Sequence, residues 1–380
     1  MDHAPMKTSY DVAVVGAGIV GLSCAWAAAR RGMSVLVVDR DAAGSGASGV
    51  AAGMLAPVTE AEFGEEALLR LNLEAARAWP VFAARLAEQS GIDTSYRESG
   101  ALVVAADRDD AEALRRLHDL QRAHGLDAEW LSGRRCREIE PGLSPRVSGG
   151  IAAMHEAQVD PRAVVQALTV ALRRESGCDV AEFADAVEIA IKDDRVVGLQ
   201  YADHRVSIGH VVVAAGAWSR ELDLPDAPPV RPVKGQILRL RGEPPADRIV
   251  RTPRCYIVPR HTGEVVIGAS VEEQGFDTRV TAGGVYRLLE AAREVLPDVG
   301  ELELVEARAG LRPGTPDNGP VVGRGGVEGL VWATGHYRNG ILLAPITGEA
   351  VAAILAGKEP ADEFESFSPE RFPALAGRHA

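Results

Sequence analysis

The sequence predicts an α/β fold in which a Rossmann-like domain, assembled from separate parts of the chain, is interrupted by a second domain with an antiparallel or mixed β-sheet. Three observations lead to this prediction. Residues 10–39 read as a strand, a turn, a helix and a second strand. Residues 211–215 form an apolar run that ends at a glycine, and several segments after Pro228 alternate apolar and polar residues.

The turn in the first unit has the spacing of a dinucleotide-binding site. The apolar run 12–15 is followed by Gly16, Gly18 and Gly21, which form a GxGxxG motif. In such a motif the first glycine permits a tight turn, the second lets a pyrophosphate approach the backbone, and the third lets the helix pack on the strand. The helix, expected at residues 22–30, then offers its N-terminal N–H groups to the phosphates.

Asp39 closes the second apolar run, 35–38, about 20 residues after the glycines, where a carboxylate can accept hydrogen bonds from ribose hydroxyls. An acid at this position argues against a ligand with a 2′-phosphate. NAD and FAD are both bound by such units, so the unit alone leaves both open.

Residues 41–57 are rich in Gly, Ala and Ser. Small side chains let a backbone run close to a flat ligand, and its N–H groups can then bind that ligand. The alternative is a flexible loop. We favour the ligand because the segment directly follows the nucleotide unit, and a flavin, whose ring system lies beyond the pyrophosphate, would explain it.

The composition sets further limits. The 380 residues are sufficient for two domains, and the hydrophobic content of 46% and charged content of 25% are those of a soluble globular protein. The net charge of −13 argues against a nucleic-acid partner. No apolar stretch approaches the roughly 18 residues of a membrane span, so we expect a cytoplasmic protein without a signal peptide. Cys24, Cys136, Cys178 and Cys255 show no paired spacing, and no metal site is expected.

The remaining elements follow from periodicity and from capping residues. Helices are expected at 65–89, 108–123, 160–176 (N-cap Asp160), 281–296 (N-cap Thr281) and 346–356. Strands are expected at 100–106, 187–196 (a pair), 211–215, 233–242, 255–260, 264–270, 301–310 and 329–335. Residues 133–150 hold turn signals, which suggests that the chain crosses between domains there. The predicted nucleotide domain comprises residues 1–88, 150–226 and 310–380, and the predicted substrate domain comprises 89–149 and 227–309.

Three side chains are candidates for substrate binding. Arg312 follows the strand 301–310 among glycine and proline, so its guanidinium could be fixed as the bidentate partner of a carboxylate; the alternative is a surface arginine. Tyr256 could donate to the same carboxylate or could simply pack in its strand. Arg338 could bind substrate or hold its loop. His336 receives no catalytic role, and no residue is predicted to act as an acid or base.

Motifs of other enzyme classes are missing from the sequence. There is no GxSxG turn, no HExxH and no GxxxxGK[ST] loop, which argues against a serine hydrolase, a zinc protease and an ATPase.

The chain resembles the D-amino-acid oxidase superfamily of FAD enzymes over nearly its full length, and within it the glycine oxidases of thiamine biosynthesis. The motifs that carry the resemblance are VVGAGIVGLSCAW (14–26), AAGMLAP (51–57), VKGQI (233–237), CYIVPR (255–260), VVIGAS (265–270), AGLRPGTPDNGPVVG (309–323) and GHYRNGILLAP (335–345).

The resemblance implies a fold and a reaction. The fold is an FAD-binding Rossmann-like domain of the glutathione-reductase type with an inserted substrate domain. Glycine, and by extension sarcosine or a small D-amino acid, would lose a hydride from its α-carbon to the flavin. The imine would hydrolyse to the oxo acid and ammonia, or supply the thiazole of thiamine, and oxygen would reoxidise the flavin to give hydrogen peroxide. A D-amino-acid or secondary-amine dehydrogenase that passes electrons to quinone is the alternative, and a non-catalytic flavoprotein subunit is a third reading. The family often forms tetramers.

The resemblance also implies residue roles. Arg312 would pair with the substrate carboxylate, Tyr256 would assist, and Arg338 would lie near substrate and flavin. The residues implied to bind FAD are Gly16, Gly18, Ile19, Val20, Gly21, Asp39, Arg40, Ser48, Ala51, Ala52, Gly53, Met54, Val187, Ala215, Gly216, Trp218, Arg338, Asn339, Gly340, Ile341 and Leu342. Monomeric sarcosine oxidases attach their flavin through a cysteine near the position of Ala309 and Gly310, so non-covalent FAD is expected here. Val271 is expected to limit the size of the substrate side chain.

Overall fold

A computed structural model describes residues 7–185 and 187–372, which form two large sheets and a two-stranded one. The strands are β1 (Ser9–Val15), β2 (Val35–Val38), β3 (Met54–Leu55), β4 (Ala101–Ala105), β5 (Glu129–Ser132), β6 (Gly149–Ala153), β7 (Ala157–Gln158), β8 (Cys178–Ala181), β9 (Glu188–Lys192), β10 (Arg195–Tyr201), β11 (His204–Val213), β12 (Arg231–Arg241), β13 (Ile249–Arg251), β14 (Tyr256–Pro259), β15 (Glu264–Gly268), β16 (Glu303–Gly314), β17 (Val321–Arg324) and β18 (Leu330–Thr334). The α-helices are α1 (Ile19–Ala29), α2 (Ala47–Val50), α3 (Glu66–Ser90), α4 (Arg108–Ala123), α5 (Gly133–Ile139), α6 (Pro161–Arg174), α7 (Ala282–Val295) and α8 (Gly340–Leu355); short 3₁₀ turns cover Gly216–Leu222, Pro297–Glu301, Asp362–Phe367 and Pro369–Arg371.

The first sheet has the strand order β17-β18-β11-β1-β2-β8, and the β9–β10 hairpin extends β11. β1 lies parallel to β11 and β2, and β11 lies parallel to β18. Val12, Val14, Val35 and Val37 face helices α1, α3, α6 and α8, while the alternate residues of the same strands face a second cluster around Trp332. Strands that are buried on both faces are why these segments read as continuous apolar runs. The predicted parallel Rossmann-like domain is thus confirmed.

The second sheet has the order β16-β12-β15-β14-β13-β4-β6-β5. Its neighbours are antiparallel except β13 and β4, which are parallel, so the predicted mixed sheet is confirmed. One face packs on α7, whose N-cap Thr281 accepts a hydrogen bond from Gly284 N, as the sequence predicted. The other face carries Ile237 and Val266 against Val50 and Ala52, and this contact brings the second sheet next to the nucleotide unit.

Several segments differ from the predictions. The second strand of the pair predicted at 187–196 continues to Tyr201, and β5, β8, β13 and β17 were not predicted. Helix α8 begins at Gly340, six residues before the predicted start, and continues through Pro345. Pro345 removes one N–H donor and crowds the carbonyl of Ile341, but the residues before it are buried, and this burial stabilises the first turn despite that cost. Residues 133–150 were predicted to be turns but contain α5, which is capped by Ser132, and the start of β6.

Strand β16 runs four residues past its predicted end because it pairs with β12 over its whole length. Arg312 therefore lies within a strand, opposite Val233, and not in a turn after the strand as predicted.

The division into two domains stays a proposal. Sheet membership favours crossings after Ala153 and after Gly314, since β6 and the whole of β16 belong to the second sheet. The proposed segments 1–88 and 310–380 include residues 1–6 and 373–380, which lie outside the described residues. None of the helices within the described ranges combines the length and apolar character that crossing a bilayer requires.

Candidate active site

A cavity of about 840 Å³ lies where the two sheets meet. The first sheet contributes the segments that follow β1, β2, β11 and β18, and the second sheet contributes residues of β12, β14 and β16. In open parallel sheets the carboxyl ends of the strands are where ligands bind, and the parallel strands of this sheet end at the cavity.

The glycines of the GxGxxG motif allow close contacts that a side chain would block. Gly16 has φ of +111°, and a Cβ there would overlap the carbonyl of Ala214. A Cβ at Gly21 would overlap the carbonyl of Gly16, so this glycine lets α1 pack on the turn. Gly18 lines the cavity at the start of α1, where the backbone is accessible to a ligand.

Asp39 holds the same turn from the end of β2. Its Oδ2 accepts a hydrogen bond of 2.7 Å from Ala17 N, and its Oδ1 accepts one of 3.0 Å from Asp41 N. Burial raises the pKa of this carboxyl, and the two N–H donors oppose the rise. Asp39 also lines the cavity, so the carboxylate both shapes the turn and faces the ligand space.

Four arginines donate hydrogen bonds to backbone carbonyls of the Gly/Ala-rich segment, residues 41–57. These contacts are Arg162 to Gly49 O (2.9 Å), Arg239 to Gly49 O and Ala51 O (both 3.4 Å), Arg260 to Ala52 O (2.7 Å) and Arg308 to Ser45 O (2.8 Å). Glu264 and Glu306 pair with these guanidinium groups. The segment is therefore a wall of the cavity that is tied to four other elements by hydrogen bonds, which favours the ligand interpretation over a flexible loop.

Residues 269–280, which we call the bridging loop, connect the second sheet to the nucleotide side of the cavity. The ring of Phe276 stacks on Trp218 with centroids 5.6 Å apart, and the guanidinium of Arg40 lies 4.3 Å from the Trp218 ring centroid. Thr278 lines the cavity. The loop is anchored by Lys234, a 1% exposed lysine whose Nζ lies 3.8 Å from Glu272 and 3.6 Å from Asp277.

The N-terminus of α8 opens onto the cavity through Gly340 and Ile341. His336, which also lines it, forms a 3.0 Å hydrogen bond between Nε2 and Thr347 Oγ1, and burial lowers its pKa to about 3. A neutral, hydrogen-bonded histidine suits a structural role.

Arg312 and Tyr256 lie together at the other end of the cavity. The Arg312 guanidinium packs over Gly235, where a Cβ would collide with it, and its Nη1 donates to Ser270 O at 3.1 Å and to Lys234 O at 3.5 Å. Among the described residues no carboxylate pairs with this guanidinium. Burial raises the pKa of the Tyr256 phenol, and the nearby Arg312 opposes that rise.

Two acids, one that lines the cavity and one that pairs with a lining arginine, were not recognised from the sequence. Arg338 Nη2 lies 2.6 Å from Glu62 Oε1, and Glu60, itself a lining residue, lies 3.2 Å from Arg251. Their position after the Gly/Ala-rich segment was the available signal. Arg338 lines the cavity as expected, but its pairing with Glu62 leaves both of its proposed roles open.

Most predicted site residues line the cavity, and three do not. Gly21 packs inside the turn, and Asn339 occupies the N-cap position of α8 without a side-chain capping hydrogen bond. The carbonyl of the buried Leu342 accepts a hydrogen bond of 2.9 Å from Trp79 Nε1. The predicted residues that do line it are Gly16, Gly18, Ile19, Val20, Asp39, Arg40, Ser48, Ala51, Ala52, Gly53, Met54, Val187, Ala215, Gly216, Trp218, Tyr256, Arg312, Arg338, Gly340 and Ile341.

Two further expectations concern residues that were predicted to border the substrate or the flavin. The side chain of Val271 is 64% exposed and does not line the cavity, so the expectation that it limits substrate size is wrong. Ala309 and Gly310 line the cavity, and none of the four free cysteines does. In the part of the chain that the structure describes, no cluster of His, Cys, Asp or Glu is arranged to hold a metal.

Comparisons with known proteins show which family the sequence and the fold match. The family model described as DAO, FAD dependent oxidoreductase, matches residues 11–354. Glycine oxidase of Geobacillus kaustophilus is 34% identical over 379 residues, which cover 98% of this chain and 100% of that protein. Its crystal structure superposes with a TM-score of 0.90 at 33% identity, covering 97% of this chain and 100% of that one. The bifunctional protein ThiO/ThiG of Trichormus variabilis is 33% identical over 96% of this chain, which spans 56% of that protein.

Proposed function

Because the chain belongs to the DAO family of FAD dependent oxidoreductases, we propose that it oxidises glycine to the imine, which hydrolyses to the 2-oxo acid and ammonia, with oxygen as the electron acceptor. The observation that carries this proposal is Arg312. It is a guanidinium fixed over Gly235 at the wall of a cavity, beside Tyr256 and without an acidic partner among the described residues. Such a group is suited to a small carboxylate.

The cavity has the features that FAD requires. Its volume lies near the upper end of the roughly 300–1,000 Å³ of ligand sites, and the glycine turn, Asp39 and the N-terminus of α8 all border it. Asp39 would hold the ribose, the start of α1 the pyrophosphate, and residues 51–54 with Gly340 and Ile341 the flavin ring. Since no cysteine lines the cavity, we propose that the cofactor is bound non-covalently.

When bound, FAD supplies the acceptor for the hydride that leaves the substrate α-carbon. The residues of this chain bind and orient the substrate. Arg312 would bind the substrate carboxylate through two parallel N–H donors, and Tyr256 would donate a further hydrogen bond to that carboxylate. Orientation can account for much of the rate of such a step, so the site needs no side chain that acts as an acid or base.

The proposal is tested with purified, yellow protein under anaerobic conditions. Glycine should bleach the flavin absorbance, and readmitted oxygen should restore it with release of hydrogen peroxide and ammonia. A flavin that glycine leaves oxidised would contradict the proposal. Reduction of a quinone analogue without peroxide would instead favour the dehydrogenase alternative, and sarcosine and D-alanine in the same assay would define the substrate range.

The pathway, location and assembly are part of the proposal. Similarity to a bifunctional ThiO/ThiG protein supports a supply of the imine for the thiazole of thiamine. A cytoplasmic location and a homotetramer are proposed from the family resemblance alone. Growth of a thiamine-requiring strain that lacks glycine oxidase, with and without this gene, tests the pathway.

A further inference from the structure

Glu60 places a carboxylate in the same cavity as Arg312 and Tyr256. It lies in the turn between β3 and α3, and its side chain is 14% exposed. Burial raises the pKa of Tyr256, with Arg312 opposing the rise and Glu60 adding to it, as expected for three groups that share one end of the cavity.

The Glu60 carboxylate has unoccupied hydrogen-bond acceptor positions. Its Oε1 lies 3.2 Å from Arg251 Nη2 in an ion pair. Within the described ranges neither carboxylate oxygen accepts a hydrogen bond, although an ionised carboxylate offers about four acceptor positions. A partly buried acid that faces a cavity with unused lone pairs can receive the N–H donors of a ligand.

The backbone that carries Glu60 is fixed on two sides. The buried carboxylate of Glu156 accepts hydrogen bonds from Val58 N (2.8 Å), Thr59 N (2.7 Å) and Thr59 Oγ1 (2.7 Å). Arg251 donates to the carbonyl and hydroxyl of Thr59, and Gln121 donates to Val58 O at 2.9 Å. A carboxylate on such a support is preorganised, as a binding group must be.

We propose that Glu60 is the residue that binds the amino group of the substrate, while Arg312 binds its carboxylate. This assignment rests on the proposed function and adds to it a determinant for α-amino acids over α-hydroxy acids. At neutral pH a free amino acid carries one positive and one negative group. A cavity that offers an unpaired guanidinium and a carboxylate with free acceptors matches both. Holding both ends fixes the α-carbon between them, which is the orientation that hydride loss needs.

The competing explanation is structural: Glu60 could serve only to neutralise Arg251 and the nearby Arg338 and to hold its turn. The two roles differ in what they do to ligands. If Glu60 has only a structural role, its replacement should weaken the binding of every ligand of the cavity alike. If Glu60 binds the ammonium group, its replacement should weaken the binding of glycine and leave that of glycolate unchanged, because glycolate keeps the carboxylate and has a hydroxyl in place of the ammonium.

The experiment compares Glu60→Gln with the wild-type holoenzyme. Glutamine keeps the size of the side chain and removes its charge. The matched control is Glu66→Gln, because Glu66 is exposed in the first turn of α3 and lies outside the cavity. Glycine affinity is taken from the concentration dependence of anaerobic flavin reduction, and glycolate affinity from the shift of the flavin spectrum.

Glu60→Gln should weaken the affinity for glycine at least ten-fold and change the affinity for glycolate less than about three-fold. Glu66→Gln should change neither affinity. Equal weakening of both ligands, or an unchanged glycine affinity, would overturn the assignment of Glu60 alone. A wild-type enzyme that binds glycolate but is not reduced by glycine, or that binds neither, would instead overturn the proposed function and the assignment with it.

Discussion

At the scale of single residues, the substrate end of the cavity depends on groups whose charge is only partly neutralised. The guanidinium of Arg338 is matched by Glu62, whereas that of Arg312 contacts only backbone carbonyls among the described residues. Arg312 is half-buried and lines the cavity, and a cation without a carboxylate partner gains from an added anion because a charge-assisted pair is stronger than a hydrogen bond to a neutral carbonyl.

Replacing Arg312 should therefore affect substrate binding first. Arg312→Ala should weaken glycine at least ten-fold, which is about 1.4 kcal/mol or more, because the charge-assisted pair is lost. The glycine affinity of Arg312→Lys should lie between those of wild type and Arg312→Ala, since lysine keeps the charge but not the two parallel donors. The measurement is the glycine dependence of flavin reduction.

Arg279→Ala is the control for this experiment, because that arginine is exposed and pairs with Asp277 outside the cavity. An Arg312→Ala enzyme with the affinity of wild type would remove this residue from the substrate site.

At the scale of elements, the site is assembled from loops that are held by side chains from distant strands. Four arginines of β12, β16, α6 and the β14–β15 hairpin fix the carbonyls of the Gly/Ala-rich segment. Glu156 fixes the turn of Glu60, and Lys234 of β12 anchors the bridging loop. Loops supported in this way can hold a ligand without large reorganisation, which is the general requirement for orientation in catalysis.

The bridging loop should contribute to cofactor retention. Phe276→Ala removes the ring that stacks on Trp218, and an aromatic pair contributes about 0.5–1.5 kcal/mol, so FAD should dissociate roughly 2- to 10-fold faster. The measurement is the release of flavin fluorescence after dilution of the holoenzyme.

Val280→Ala is the matched control, since Val280 is an exposed residue of the same loop that does not line the cavity. If Phe276→Ala and Val280→Ala release FAD at the same rate as wild type, the stacking does not hold the cofactor.

The turn of Glu60 should make stability depend on pH through Glu156. Burial raises the pKa of this carboxyl from 4.5 to about 7, so between those values the folded protein holds a proton that the unfolded chain has lost. Its contribution to the free energy of unfolding then falls as pH rises through this window, by at most about 1.4 kcal/mol per pH unit. Glu156→Gln cannot titrate, so denaturant unfolding of wild type and variant at pH 5, 6 and 7 should show wild type losing stability relative to the variant. A constant difference across that range would show that Glu156 does not titrate there.

At the scale of the whole molecule, the cavity lies at the contact between two sheets that otherwise have separate cores. Its walls come from three stretches of the chain, 15–60, 184–222 and 235–341. A ligand that fills it would join the two sheets as well as occupy a site on each.

Removing FAD should therefore destabilise the protein as a unit. A ligand at 100 times its dissociation constant stabilises the folded state by about 2.7 kcal/mol. The apoprotein should unfold at a lower temperature than the holoenzyme, and added FAD should restore the transition in a concentration-dependent way, as measured by calorimetry. A melting temperature that is independent of FAD would argue against a cofactor bound between the sheets.

The sequence by itself determined the local features. The glycine motif, the alternating strands and the caps at Asp160 and Thr281 were predicted because each depends on residues close together in the chain. The parallel and mixed character of the two sheets was predicted from the apolar pattern of single strands, although the pairing itself joins distant residues. Arg312 was recognised as a candidate for the same reason, although its backbone lies in a strand and not in a turn.

Tertiary structure alone decided which side chains meet. The pairing of Arg338 with Glu62, the arginines behind the Gly/Ala-rich segment, the stacking of Phe276 on Trp218 and the place of Glu60 in the cavity have no local signature. They join residues far apart in sequence, and the order and register of strands in two sheets bring them together. Sequence periodicity reports which face of an element is buried, whereas the identity of the partner on that face depends on how the whole chain packs.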